Sequence, residues 1–196
     1  MPKYYVLSIT SAFDPVRWVN SGSIVKLNPH LRGVFWITGA FLNFPPPHHL
    51  EIELDPRDAR YPSVMLEYMP ARMPVFRNDL IEALEYAGVN NLQLFDLTLI
   101  DPDDGTRYTN YKAVNILGAV AAADMDKSIA TVHPGGPVID VDFDRLVIDE
   151  EKAHGFYLFR LAESVTTIMV HQKVKEMLEE KGFKGLKFYN PEDVAT

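Results

Sequence analysis

The sequence predicts one α+β domain with a largely antiparallel sheet and two main helices. Three observations lead there. Short runs of branched and aromatic residues are separated by turn chemistry, and only two segments carry helical spacing. The chain also has 196 residues, 47% of them apolar and 23% charged, enough for one buried core without disulfides or metals.

The first element is Tyr4–Ile9, where aromatic and branched side chains favour a strand over a helix. Strands are also expected at residues 33–38 and 50–54. Between them Phe44-Pro45-Pro46-Pro47-His48-His49 is expected to be an extended loop, since three successive prolines fix φ and remove backbone donors. Ten of the 14 prolines fall in residues 1–75. That part is therefore a loop-rich strand subregion, too poor in core residues to stand alone, and it joins an α+β core at 76–196 in a single domain spanning 1–196.

The period changes at Phe76. Phe76, Leu80, Leu84 and Ala87 share one helical face, Asp79 lies in the first turn and Gly88 just past the end. A strand at Leu92–Ile100 follows. Asp101-Pro102-Asp103-Asp104-Gly105-Thr106 supplies turn residues before the apolar pattern resumes over 108–120, which gives a hairpin. Further strands are expected at 138–147, 155–161 and 166–170. A second helix over 171–181 is marked by Val170, Val174, Met177 and Leu178 and stopped by Gly182. Residues 186–188 form a last strand. Gly88 is followed by Leu92 and Leu94, and Gly182 by Leu186 and Phe188, at identical offsets. Glycine exits into strands are common, so the match is read as coincidence rather than as a repeat.

Charge and composition narrow the function. The net charge of −8 argues against nucleic-acid binding, which needs a basic surface, and suits a basic partner. The absence of cysteine removes thiolate metal sites and cysteine nucleophiles and suits the cytoplasm. No signal peptide is expected at the N-terminus. The apolar run over 114–123 is about half the length needed to cross a bilayer, so no membrane partner is expected either.

The most site-like cluster is Asp140, Asp142 and Asp144, alternate carboxylates that a strand would project from one face. Such a row could face a protein partner, hold a divalent cation, or simply be solvated. With Glu151 it reproduces the acidic spacing of a calcium loop, but Arg145 stands where that loop needs glycine. A second group, Asp101, Asp103 and Asp104, falls in the hairpin turn, where turn chemistry explains it and partner binding is the alternative. His30, His48, His49, His133, His154 and His171 lack zinc-motif spacing, and Ser164 has no activating neighbour in sequence. No catalytic, cofactor-binding or metal-binding residues are assigned.

Three segments taken together resemble a known family. They are Asn78-Asp79-Leu80-Ile81-Glu82-Ala83-Leu84 with Ala87-Gly88-Val89, then Tyr111-Lys112-Ala113-Val114-Asn115-Ile116-Leu117-Gly118, then Leu158-Phe159-Arg160-Leu161-Ala162-Glu163-Ser164. Lys173-Val174-Lys175-Glu176 and Lys184-Gly185-Leu186-Lys187-Phe188 follow in order. This pattern is similar to bacterial immunity proteins that protect a cell from its own polymorphic toxins, a family formerly classed as a domain of unknown function. It covers Asn78 to about Asp193. The resemblance implies a protein without catalysis or cofactor that binds and blocks a cognate toxin. Arg160 and Glu163 could pair within the fold or face a ligand, and Asn115 could satisfy neighbouring backbone. Protection without export implies a toxin acting in the cytoplasm, for which a nuclease or a nucleotide-consuming enzyme fits and a cell-wall hydrolase does not. The competing readings are a metal-assisted hydrolase using Asp140, Asp142 and Asp144, and an accessory subunit docking through Phe35, Trp36, Phe41 and Phe44. Oligomeric state, toxin identity and contact surface stay open.

Overall fold

The computed structural model describes residues 3–9, 16–27, 34–43, 49–58, 63–71, 73–133, 135 and 139–195. Its elements run β1 (Tyr4–Ile9), α1 (Ser21–Leu27), α2 (Val34–Ile37), β2 (Leu50–Glu53), β3 (Tyr68–Met69), β4 (Val75–Arg77), α3 (Asn78–Tyr86), β5 (Leu92–Ile100), β6 (Arg107–Ile116), β7 (Ala119–Val120), β8 (Ile129–Val132), β9 (Val141–Arg145), β10 (Leu158–Leu161), β11 (Ile168–His171), α4 (Gln172–Glu180) and β12 (Leu186–Tyr189), with a 3-10 turn at Pro191–Asp193.

The strands form two five-stranded sheets, β12-β1-β11-β10-β7 and β2-β5-β6-β4-β3, and a two-stranded ribbon, β8-β9. Most pairings are antiparallel, as expected. Each large sheet, however, has one parallel edge strand, β7 on β10 and β2 on β5, so the sheets are mixed and the antiparallel expectation holds only in part.

Three hydrophobic clusters fill the spaces between these layers. The middle one gathers Leu80, Ile81 and Leu84 of α3, Val174 and Leu178 of α4, and inward side chains of both sheets. A second lies on the other face of β5 and β6 under α1 and α2, and a third joins the outer face of the first sheet to the ribbon. Strands β10 and β11 are buried on both faces: Leu158, Ile168 and Val170 point to the helices, Phe159, Leu161 and Met169 to the ribbon. Two-sided burial is why their apolar residues do not alternate with exposed polar ones, Arg160 of β10 being buried as well.

Both helices start directly from a strand. Arg77, extended at φ −73° and ψ 147°, turns the chain into α3, and its guanidinium grips Asp79 in the first turn with two bonds of 2.8 Å. His171 does the same for α4, its Nδ1 accepting from Lys173 N at 3.1 Å. Phe76 therefore lies in β4, not in the helix. Its four-residue spacing to Leu80 persisted because strand end and helix bury the same side.

Gly88 and Gly182 end the helices of two units with like topology. β4-α3-β5 and β11-α4-β12 are the same unit, with nine-residue helices and with both strands antiparallel to a shared central strand, β6 in one and β1 in the other. Gly88 and Gly182 leave the helices at φ 99° and 77°, a left-handed conformation that side chains disfavour. The second unit takes its central strand from the chain's start, whereas the first takes β6, which follows it in sequence.

The strand expected at 33–38 is corrected to the helical turn α2, with Gly33 outside the described residues. A single turn carries Trp36 to full burial against Phe95, with the rings 5.2 Å apart. The proline loop also lies outside the described residues, apart from His49. The strands expected from 138, 155 and 166 begin at Val141, Leu158 and Ile168.

Gly39 and Gly118 bring the N-terminal part against the core. Gly39 has φ 71°, and a Cβ there would lie 2.4 Å from Ala119 N and 2.6 Å from Gly118 C, both backbone atoms that cannot swing aside. Gly39→Ala is expected to cost well over about 2 kcal/mol. Gly105→Ala, at φ 74° with open space around it, should cost only about 1 kcal/mol. Thermal melting of the two variants side by side checks the contrast.

Candidate partner-binding surface

β9 places the first aspartate group as its alternation dictates. Val141 and Phe143 are buried against the first sheet, while Asp140, Asp142 and Asp144 face solvent. Asp142 stands across from Thr131 of β8 and bonds His133 Nε2 at 2.7 Å. Asp140 and Asp144 form no ion pair among the described residues. Alternate strand positions lie about 7 Å apart, so the three carboxylates stand side by side and do not converge on one point. Among the described residues no three His, Asp or Glu groups gather to hold a metal ion. The calcium-loop spacing falls on an extended strand, where Arg145 donates to Lys127 O at 2.5 Å.

The second aspartate group is placed differently. Asp101 is 1% exposed and is held between Arg17, 3% exposed, and Arg57. Arg17 Nη2 lies 3.1 Å from Asp101 Oδ1, at ion-pair distance but without hydrogen-bond alignment. Arg57 donates to Asp101 Oδ2 at 3.0 and 2.5 Å and to Asp104 Oδ2 at 2.6 Å. Burial pushes the Asp101 carboxyl up, yet the Arg57 bond, the Asp103 N–H and the two guanidinium charges together hold it below its ordinary value. Asp104 is lowered to about 2, chiefly by its bonds to Thr106. The turn chemistry is as expected: Asp103 N donates to Asp101 Oδ1 at 3.0 Å and Thr106 N to Asp104 Oδ1 at 2.8 Å. Asp101 thus faces inward, and Asp103 and Asp104 share its two arginines at the rim.

Arg160 and Glu163 do not pair with each other. Arg160 is 1% exposed, donates from Nη1 to Val165 O at 2.7 Å, and leaves Nε and Nη2 without partners. Burial lowers its pKa and raises that of nearby Tyr68 to about 12, against the pull of the Arg160 charge. Glu163 Oε1 accepts from Ala123 N at 3.1 Å while Oε2 has no partner, and burial raises its pKa. A raised carboxyl makes the folded state pay for ionisation above that pKa, and below the ordinary value of 4.5 the cost disappears. Glu163→Gln, which keeps the acceptor, should melt higher than the parent at neutral pH, with the difference closing as pH falls below 4.5. Asn115 satisfies backbone as expected, donating to Ala40 O at 2.9 Å, and Ser164 Oγ is engaged by Thr167 Oγ1 at 2.9 Å.

The described histidines serve separate structural tasks: His49 bonds Thr98 Oγ1 at 2.7 Å, His171 caps α4, and His154 turns the chain at φ 50°. His30 and His48 lie outside the described residues. Of the N-terminal aromatics, Trp36 is core, Phe41 is 61% exposed, and the side chains of Phe35 and Phe44 lie outside the described residues. Among the described residues no helix is long and apolar enough to cross a membrane.

Sequence reading missed Arg17 and Arg57, far from their partner in sequence, and strand β8. Ile129-Ala130-Thr131-Val132, branched residues ending before Pro134, carried a strand signal that could have found β8.

Fold and surface together define a mixed α+β protein whose second aspartate group is tied up by arginines and whose first is exposed on a two-stranded ribbon, with Asp142 bonded to His133. The model of the Immunity protein family (Imm11) matches residues 64–193, about two thirds of the chain. The chain belongs to that family, and membership points to toxin neutralisation as its role. A comparison with curated proteins finds no match.

Proposed function

We propose that this protein neutralises a cognate bacterial toxin in the cytoplasm by binding it, without catalysis, through the acidic face of the β8-β9 ribbon. The observation that carries the surface is the row Asp140, Asp142 and Asp144, exposed on one strand of a chain with net charge −8. A surface of that kind attracts a basic partner and speeds its association. Nucleases fit as the toxin chemistry, because a cleft that holds phosphates is basic. A chain without cysteine suits a reducing compartment.

Co-expression with the toxin encoded beside it in the producing genome tests the reading. Growth should be rescued by the chain expressed without an export signal, and the two proteins should co-purify. Toxicity that persists despite soluble expression of the chain rules the reading out. The electrostatic part has its own check: the association rate should fall steeply with added salt, and a salt-independent rate removes it.

A further inference from the structure

Among the described residues the ribbon has a free edge. β8 pairs with β9 on one side, and on the other its backbone forms no hydrogen bond among the described residues. The bulge in this pairing lies on β9, where Asp144 is skipped between Phe143 and Arg145, so it does not interrupt β8. Unpaired strand edges invite a further strand, and proteins normally blunt them with charge or cover.

Side chains on the two faces of this edge differ. Val132 stands across from Val141, on the side that faces the core, yet it is 58% exposed, and Ile139, two residues before Val141, is 53% exposed. The ribbon overhangs the core there and leaves its inner face uncovered at the end. On the outer face stand Asp140, Asp142 and Asp144, where only His133 makes an ion pair with one of them among the described residues.

We propose that the toxin is bound by strand addition: an extended toxin segment with alternating basic and apolar side chains pairs with β8. Its backbone would complete the edge, its apolar residues would cover Val132, and its long basic side chains would reach across Thr131 to the aspartates of β9. Period-two alternation makes one strand able to serve both faces. Charge selects this occupant over a second copy of the chain, which would bring the same net charge of −8 to the edge. The inference rests on the toxin-binding reading and adds its mode.

The test uses the full chain and the toxin encoded beside it, made inactive by substitution at its own active site. Hydrogen exchange in the complex should show amides of Ile129–Val132 slowed by roughly tenfold or more relative to the free chain. Val132→Lys should weaken the complex, and Asp142→Lys with Asp144→Lys should slow association by roughly tenfold or more, with melting temperatures unchanged because all three sites are exposed. A complex that forms normally while these amides stay unprotected and the variants bind like the parent overturns strand addition and leaves the toxin-binding reading standing. Absence of any complex overturns both. Protection of the same amides in the free chain, with sedimentation as a dimer, makes a second copy the occupant and also overturns the proposal.

Discussion

Asp101→Ala is expected to destabilise the fold by about 3 kcal/mol or more. Among the described residues the substitution leaves Arg17, 3% exposed, with Asp103 at 3.4 Å as its one acidic partner, and an undercompensated buried charge is costly in a way that a lost surface pair is not. The loss is also architectural, because Asp101 in the β5-β6 turn ties down residues 17 and 57 of the N-terminal part. Its pKa is depressed on folding, so its contribution is present above the ordinary value of 3.8 and is lost as pH falls through the lower folded value. Urea unfolding of parent and variant at neutral pH and in acid checks both points: the gap between them should be wide at neutral pH and narrow in strong acid.

Trp36→Ala should cost about 3–5 kcal/mol, since it empties the space of a fully buried indole packed edge-on against Phe95 at 72°. It also tests whether the chain folds as one unit. The cluster that holds Trp36 combines Leu50, Ile52 and Leu54 with Leu97, Leu99 and Tyr111, and β1 is the central strand of β12-β1-β11, closed by the far end of the chain. A single domain over 1–196 therefore predicts that the variant lowers one cooperative calorimetric transition as a whole. Two transitions, with only one of them shifted, contradict it.

The elements legible in sequence were those with one-sided or two-sided burial over a continuous stretch. β1 and β5 were read to the residue, and α3 and α4 within a residue or two, because periodicity and glycine exits act locally. α2 was misread because four branched and aromatic residues fit a helical turn or a strand equally well; burial of Trp36 decided between them. The parallel edges β2 and β7 depend on long connections that no local pattern encodes. The acidic surface was half legible. Alternation placed Asp140, Asp142 and Asp144 on one exposed face, whereas the inward turn of Asp101 depends on arginines 84 and 44 positions away, which sequence spacing could not reveal.

The central claim, protection by stoichiometric binding, is tested most directly by titrating the purified chain into a fixed amount of the active toxin and reading residual toxin activity. The account predicts a linear loss of activity that ends at equimolar chain, with toxin and chain eluting together. Loss of activity at far less than equimolar chain, continuing with time, would show turnover of the toxin or its product and contradict binding as the mechanism.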